Sequence, residues 1–378
     1  MRLMAVVMSA TVVAGAAVWA QTQRTTTEPK TAPASVSTAV DKGARWLASV
    51  QGADGGWGQD GGVASSARPG ERLESSGNDV ANTAVASLAL LQAGRQYEPQ
   101  VERALAFILQ RIEASPTEGL AITDRQGTQI QRKLGPCIDT FLSSMLLSQI
   151  DGRASTPALN ARIRKALQKT VAKIEKHQQS DGSWNIAGGW APVLGTSMAS
   201  RSLFEAQNRG VAVDARVLAR AESYTVSALS APPPLAAPVA GGGISASRPV
   251  AAPVAAPAEA AGVPLYQSAQ ALEQLSRTTA DRVQNAKQIS AIQGQLESAA
   301  FVGGFGSMGG EEFFSYLNIS DSMKRIGGAR WSKWHSGITQ KIIGLQNSDG
   351  TWAGHHCITG RVAMTSAAIL NLTVDRAR

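Results

Sequence analysis

The 378-residue chain carries 36 Lys and Arg against 28 Asp and Glu, a net charge of +8, and is 43% apolar but only 5% aromatic. The basic excess is spread along the chain, with no basic run interleaved with aromatics, which disfavours a nucleic-acid partner; a mildly cationic exterior suits an anionic one. No period-two run is sustained anywhere, so the patterning points to an all-α protein.

Residues 1–20 read as a secretory signal: Arg2, an apolar run over 3–17, and the small-residue site Val18-Trp19-Ala20 ahead of Gln21. No Cys follows to carry a lipid anchor. The run is short for a membrane span of about 20 residues, although an uncleaved anchor is the competing reading. Export would place the chain in the periplasm or outside the cell, with no stable membrane span once the signal is removed. Residues 21–36, rich in Thr, Pro and Ser, read as a disordered tether, and residues 37–378 as one folded domain.

Helical periodicity over that domain predicts outer helices near 40–51, 100–113, 156–178, 214–229, 279–298 and 330–346. Between them fall inner helices near 78–92, 136–150, 192–207, 265–275, 311–326 and 358–372. The alternation makes six hairpins. Residues 230–264, with Pro232-Pro233-Pro234, Gly241-Gly242-Gly243 and repeated Ala-Pro, read as a solvated insertion in the fourth hairpin, or else as a linker between domains.

One short pattern occurs three times: Gln51, Gly55 and Trp57; Gln178, Gly182 and Trp184; Gln346, Gly350 and Trp352. Each copy ends an amphipathic stretch and carries Asp-Gly, which predicts a helix stop with Gly in the left-handed C′ position. The spacing assigns the copies to hairpins one, three and six. These corners resemble the QW repeat of the terpenoid cyclase and protein prenyltransferase superfamily. The resemblance implies an α/α toroid, in which inner and outer helices alternate around a barrel. Small residues on the inner helices (Thr83, Ser87, Ser143, Ser144, Thr196, Ser200, Thr365, Ala368) suit the close packing such a ring requires.

In such a ring the inner helices run parallel, so their N-termini gather at one mouth and offer partial positive charge and free amides to an anion. The polar residues at those starts are Asp79, Cys137, Asp139, Glu311, Glu312, His355, His356, Cys357 and Arg361. Helix capping accounts for Asp79, Glu311 and Glu312 without any chemistry. His355, His356 and Cys357, followed by Arg361, form the densest cluster, whereas His177 and His335 fall on outer helices as exposed side chains. Two readings compete for the cysteines: a Cys137–Cys357 disulfide, or a zinc site drawing on Cys137 or Cys357, Asp139, and His355 or His356. The second set resembles the Asp, Cys and His zinc ligands of protein prenyltransferases, without their order and spacing.

The family's other signatures are missing. There is no Asp-x-Asp-Asp acid motif of squalene–hopene cyclases, no Asp-Cys-Thr-Ala-Glu of oxidosqualene cyclases, and no Gln beside Cys357 for a complement-type thioester. The expectation is therefore an exported module that binds a hydrophobic or anionic ligand, or an envelope protein, at the mouth formed by Asp139, Glu311, Glu312, His355, His356 and Arg361. The alternatives are a metal-dependent or isoprenoid-acting enzyme, with His355 or His356 as general base and Arg361 as anion clamp, and an envelope scaffold.

Overall fold

The computed structural model describes residues 35–59, 77–184, 192–230, 258–297, 310–354 and 358–376, apart from the side chains of 192–193, 228–230, 258–264 and 311. The expected signal and the expected tether up to residue 34 lie outside them, and the last two residues of that expected tether, Ser35 and Val36, instead cap and begin a helix. The described residues belong to one compact unit, Ala34–Arg378. Among them every regular element is helical, and the single β-type contact is an isolated bridge between Trp57 and Asp79. No described helix is long and apolar enough to cross a membrane.

The outer helices are α1 (Val36–Ser49), α3 (Glu98–Ala114), α6 (Pro157–Lys176), α8 (Ala215–Ser230), the pair α10 (Thr279–Gln284) and α11 (Ala286–Leu296), and α13 (Gly328–Gly344). The inner ones are α2 (Val80–Ala93), α5 (Ile138–Ile150), α7 (Pro192–Asn208), α9 (Ala258–Leu275), α12 (Glu311–Ile326) and α14 (Arg361–Leu372). Sequence separates the two sets. Outer α6 buries one stripe, Ile163, Ala166, Leu167, Thr170, Val171 and Ile174, whereas inner α2 is buried without a break from Val80 to Leu90 and α5 from Ile138 to Ser148. Inner helices pack in the order α2, α5, α7, α9, α12, α14 and back to α2, so the six hairpins close into an α/α toroid.

Three features depart from the sequence expectation by more than a few residues. Helix α9 begins at Ala258, inside the stretch read as a solvated insertion, because Ala258-Glu259-Ala260-Ala261 is strongly helix-forming although its composition looks low-complexity; residues 231–257 lie outside the described set. The fifth outer helix breaks at Asn285 (φ −100°, ψ 15°) into α10 and α11. A short helix, α4 (Gln129–Leu134), was not expected at all.

The three corners share one geometry. Each Trp indole donates to a carbonyl of the outer helix just completed: Trp57 to Leu47 (2.8 Å), Trp184 to Ile174 (2.7 Å) and Trp352 to Ile342 (2.7 Å). Its backbone N–H donates to the hydroxyl of Thr83, Thr196 or Thr365 on the inner helix that follows (2.9, 3.2 and 3.1 Å). Each Gln amide donates to the corner Gly carbonyl and to the next outer helix: Gln51 to Gln100, Gln178 to Val217 and Gln346 to Ala39, all at 2.9 Å. The corner glycines are left-handed as expected (Gly55 φ 85°, Gly182 91°, Gly350 90°). They are not helix C′ residues, however, because the helices have already ended at Val50, His177 and Leu345, and each Gly closes a separate turn. A Cβ on Gly182 would stand 2.3 Å from the Arg220 carbonyl, so the position admits no side chain.

Candidate functional site

Three zones along the toroid axis offer chemistry: the mouth at the inner helix N-termini, the axis itself, and the opposite mouth. At the first, amides at the starts of α2 and α14 that sequence reading offered to an anion are already bonded. Asp79 caps α2, its Oδ1 accepting from Asn82 N–H at 2.8 Å. Asp139 reaches across from α5, its Oδ1 accepting from Ala81 N–H (3.1 Å) and its Oδ2 from the Gln131 side chain (2.7 Å). Burial, and then the charge of Asp79, raise the Asp139 carboxyl to about 7. Asp79 is also raised, by burial.

Helix α4 lies over this mouth. A Thr128–Gln131 capping box starts it, and Gln129 accepts from the N–H groups of Thr359 (2.9 Å) and Gly360 (3.2 Å) while donating to the Thr359 hydroxyl (2.9 Å). Its far end presses on α7 so closely that a Cβ on Gly195 would stand 2.4 Å from the Leu134 carbonyl. Thus α4 joins the starts of α5, α7 and α14.

Of the expected site residues, only some lie among the described ones. His355, His356 and Cys357 lie outside the described residues, as does the Glu311 side chain. Cys137 is a half-buried free thiol, pushed up to about 11 by burial and by Asp139. Arg361 bonds Asp349 Oδ2 of the third corner at 2.9 Å and its guanidinium stands 5.0 Å from the Trp46 ring centre. Glu312 is buried and sits near Lys341 of α13, where it supports a positive charge that burial disfavours. Neither histidine of the outer helices is freely exposed. His177 bonds the Lys173 carbonyl through Nδ1 (2.8 Å), and His335 stacks on Trp331 at 4.6 Å. Both Asp139 oxygens being engaged, and no group of three His, Cys, Asp or Glu converging among the described residues, the described residues hold no zinc-binding set.

The axis is filled. Val85 and Leu88 of α2, Leu142 and Met145 of α5, Met198 of α7, Phe314 and Leu317 of α12 and Leu370 of α14 converge on it and leave about 30 Å³. That volume suits a water or two.

The opposite mouth, at the inner helix C-termini, is open. It holds a basin of about 540 Å³ floored by charged side chains. Three adjacent inner helices each bring an opposite-charge pair four residues apart: Arg201 and Glu205 on α7, Glu273 and Arg277 on α9, Asp321 and Arg325 on α12. Arg201 gives Nε to Glu205 (2.7 Å), Nη1 to Asn318 (3.0 Å) and Nη2 to Asp321. Burial works against its charge, but Asp321, Glu205 and Glu273 together raise the guanidinium above its ordinary value. Arg277 holds both Glu273 oxygens (3.0 and 2.7 Å). Burial disfavours the Glu273 charge, yet Arg277, Arg325 and Arg201 keep that carboxyl below its usual range. Burial pushes Glu205 up and Arg325 down. Sequence reading passed over this basin; its signal was charge in inner helices that are otherwise buried, repeated at four-residue spacing.

Among the described residues the architecture is an all-helical toroid with a closely packed axis. Residues 25–120, which span α1, the first corner, α2 and α3, match the family model described as the squalene-hopene cyclase C-terminal domain. Over that quarter of the chain the protein is similar to squalene-hopene cyclases, and with the helical ring the match supports a cyclase-like repeat protein of the terpenoid cyclase and prenyltransferase superfamily. No curated protein matches the chain.

Proposed function

We propose that this toroid binds a ligand at its C-terminal basin and does not cyclise polyenes along its axis. The observation that carries the reading is the filled axis: about 30 Å³ remains between Leu142, Met198, Phe314 and Leu370, against the roughly 300–1,000 Å³ of a small-molecule pocket. Polyene cyclisation needs an acid in a cavity that folds the whole substrate, and the basin's acids are instead neutralised by arginines. The missing Asp-x-Asp-Asp triplet supports the same reading. Incubating the purified chain with squalene and analysing the extract by gas chromatography and mass spectrometry is expected to return squalene unchanged. Any cyclised product would overturn the reading.

A further inference from the structure

We infer that the cleft between α11 and α13 is a binding site for a medium-chain fatty acid, its tail in the cleft and its carboxylate at Lys333; the site uses none of the basin's residues. The cleft measures about 250 Å³. Leu296 at the end of α11, Met323 of α12, and Trp334, Gly337 and Ile338 of α13 form its uncharged lining. These walls are held in place from behind. The Trp334 indole N–H donates to Ser320 Oγ at 3.0 Å, the Tyr316 ring stands edge-on to it at 6.4 Å, and the Gln293 amide donates to the Met323 sulfur at 3.3 Å. Helix α13 buries only Ile338 and Ile342 along its 17 residues, which leaves a face of it unfilled beside α11. Gly337 widens the gap. Glycine is a poor helix former in mid-helix, and no neighbour requires it at 337, where a Cβ would meet no atom within 4 Å.

The chemistry of the cleft selects an amphiphile with one negative charge. Leu296, Met323 and Ile338 offer water no hydrogen-bond partner, so an apolar chain displaces it readily. Water fills roughly 30 Å³ per molecule in the liquid, and a methylene is of similar size, so the cleft takes a tail of about eight carbons. The charged groups sit at one side. Glu297, Lys333 and Lys341 complete the lining, and Glu297 stands 3.6 Å from Arg330 and 3.9 Å from Lys333. Glu312 supports the charge of Lys341. Three cations against two carboxylates leave one positive charge, and Lys333 is the exposed member of the set. A long side chain of this kind lays its methylenes along an apolar wall and keeps its ammonium in water, where it meets a carboxylate. A neutral hydrocarbon would leave that charge unanswered, and a phosphate monoester would bring more negative charge than the surplus matches.

Calorimetric titration of the full chain with decanoate, below its micelle concentration, tests this against decanol and butyrate. Decanoate is expected to bind at one site. Gly337→Leu fills the cleft from a helix position where nothing clashes, and is expected to weaken decanoate tenfold or more. Butyrate, which keeps the carboxylate and loses most of the tail, should also bind at least tenfold more weakly. Lys333→Glu should weaken decanoate severalfold and leave decanol unchanged, a difference that lost folding would not produce. Thermal melts separate lost affinity from lost fold for Gly337→Leu, and the Lys333→Glu comparison decides the matter if that variant melts early. No heat with decanoate, or decanol or butyrate binding as tightly as decanoate, would overturn the inference. So would decanoate binding that ignores residue 337, since the acid would then be held in the basin or elsewhere. Sedimentation with phosphatidylserine vesicles in the absence of decanoate binding would assign this face to a membrane surface instead. The squalene assay reads the axis by itself, and its result leaves this cleft untouched.

Discussion

At Asp139 two penalties fall on one carboxylate, burial first and the charge of Asp79 second. Its folded value of about 7 lies above the ordinary 3.8, so the folded state holds the proton more tightly than the unfolded chain. The group's favourable contribution is then complete below about pH 4 and is lost as the pH rises through 7. Between pH 5 and 8 the loss amounts to roughly 2–3 kcal/mol, and Asp79, raised by burial, acts in the same direction. Asp139→Asn is expected to flatten the fall in stability across this interval in urea melts, since Oδ1 still accepts from Ala81 and the Gln131 amide can turn to meet the new one. Parallel pH profiles for variant and wild type would show that the carboxylate is already solvated.

Helix α4 is tied to the start of α14 through Gln129. Gln129→Ala removes the side chain that holds the Thr359 and Gly360 amides, and should cost about 1–3 kcal/mol with faster hydrogen exchange at residues 359–360 and across α4. Unchanged protection there would mean that the short helix is held by other contacts. The long helices were legible in the sequence because burial acts over several turns: α6 shows its stripe and α2 its continuous run. Six residues of α4 span fewer than two turns and generate no period; only Thr128 and Gln131, three apart, announced it. The expected site at the N-terminal mouth draws on residues 355–357, which lie outside the described residues. Helix N-termini do favour anions, but Asp79, Asp139 and Gln129 supply the acceptors from within the chain. Arg201, Glu273 and Asp321 were legible as charges, yet their shared depth is a property of the ring and not of any one helix.

Across the whole molecule, the corner at Gln346 repeats what Gln51 and Gln178 do, except that the next outer helix is α1, whose Ala39 carbonyl lies 307 positions earlier in the chain. Gln346→Ala is expected to lower stability by about 1–3 kcal/mol while leaving one unfolding transition by both far-ultraviolet circular dichroism and tryptophan fluorescence. Separate transitions would mean that the hairpins unfold as independent neighbours, as the units of an open repeat array do. Closure on Ala39 also links the number of repeats to the width of the axis. An open array gains a unit by growing longer, but a seventh hairpin inserted here would enlarge the circumference, draw Leu142, Met198, Phe314 and Leu370 apart, and convert a plugged centre into a chamber. Duplicating one hairpin would thus change what the protein encloses before it changed any residue that lines it.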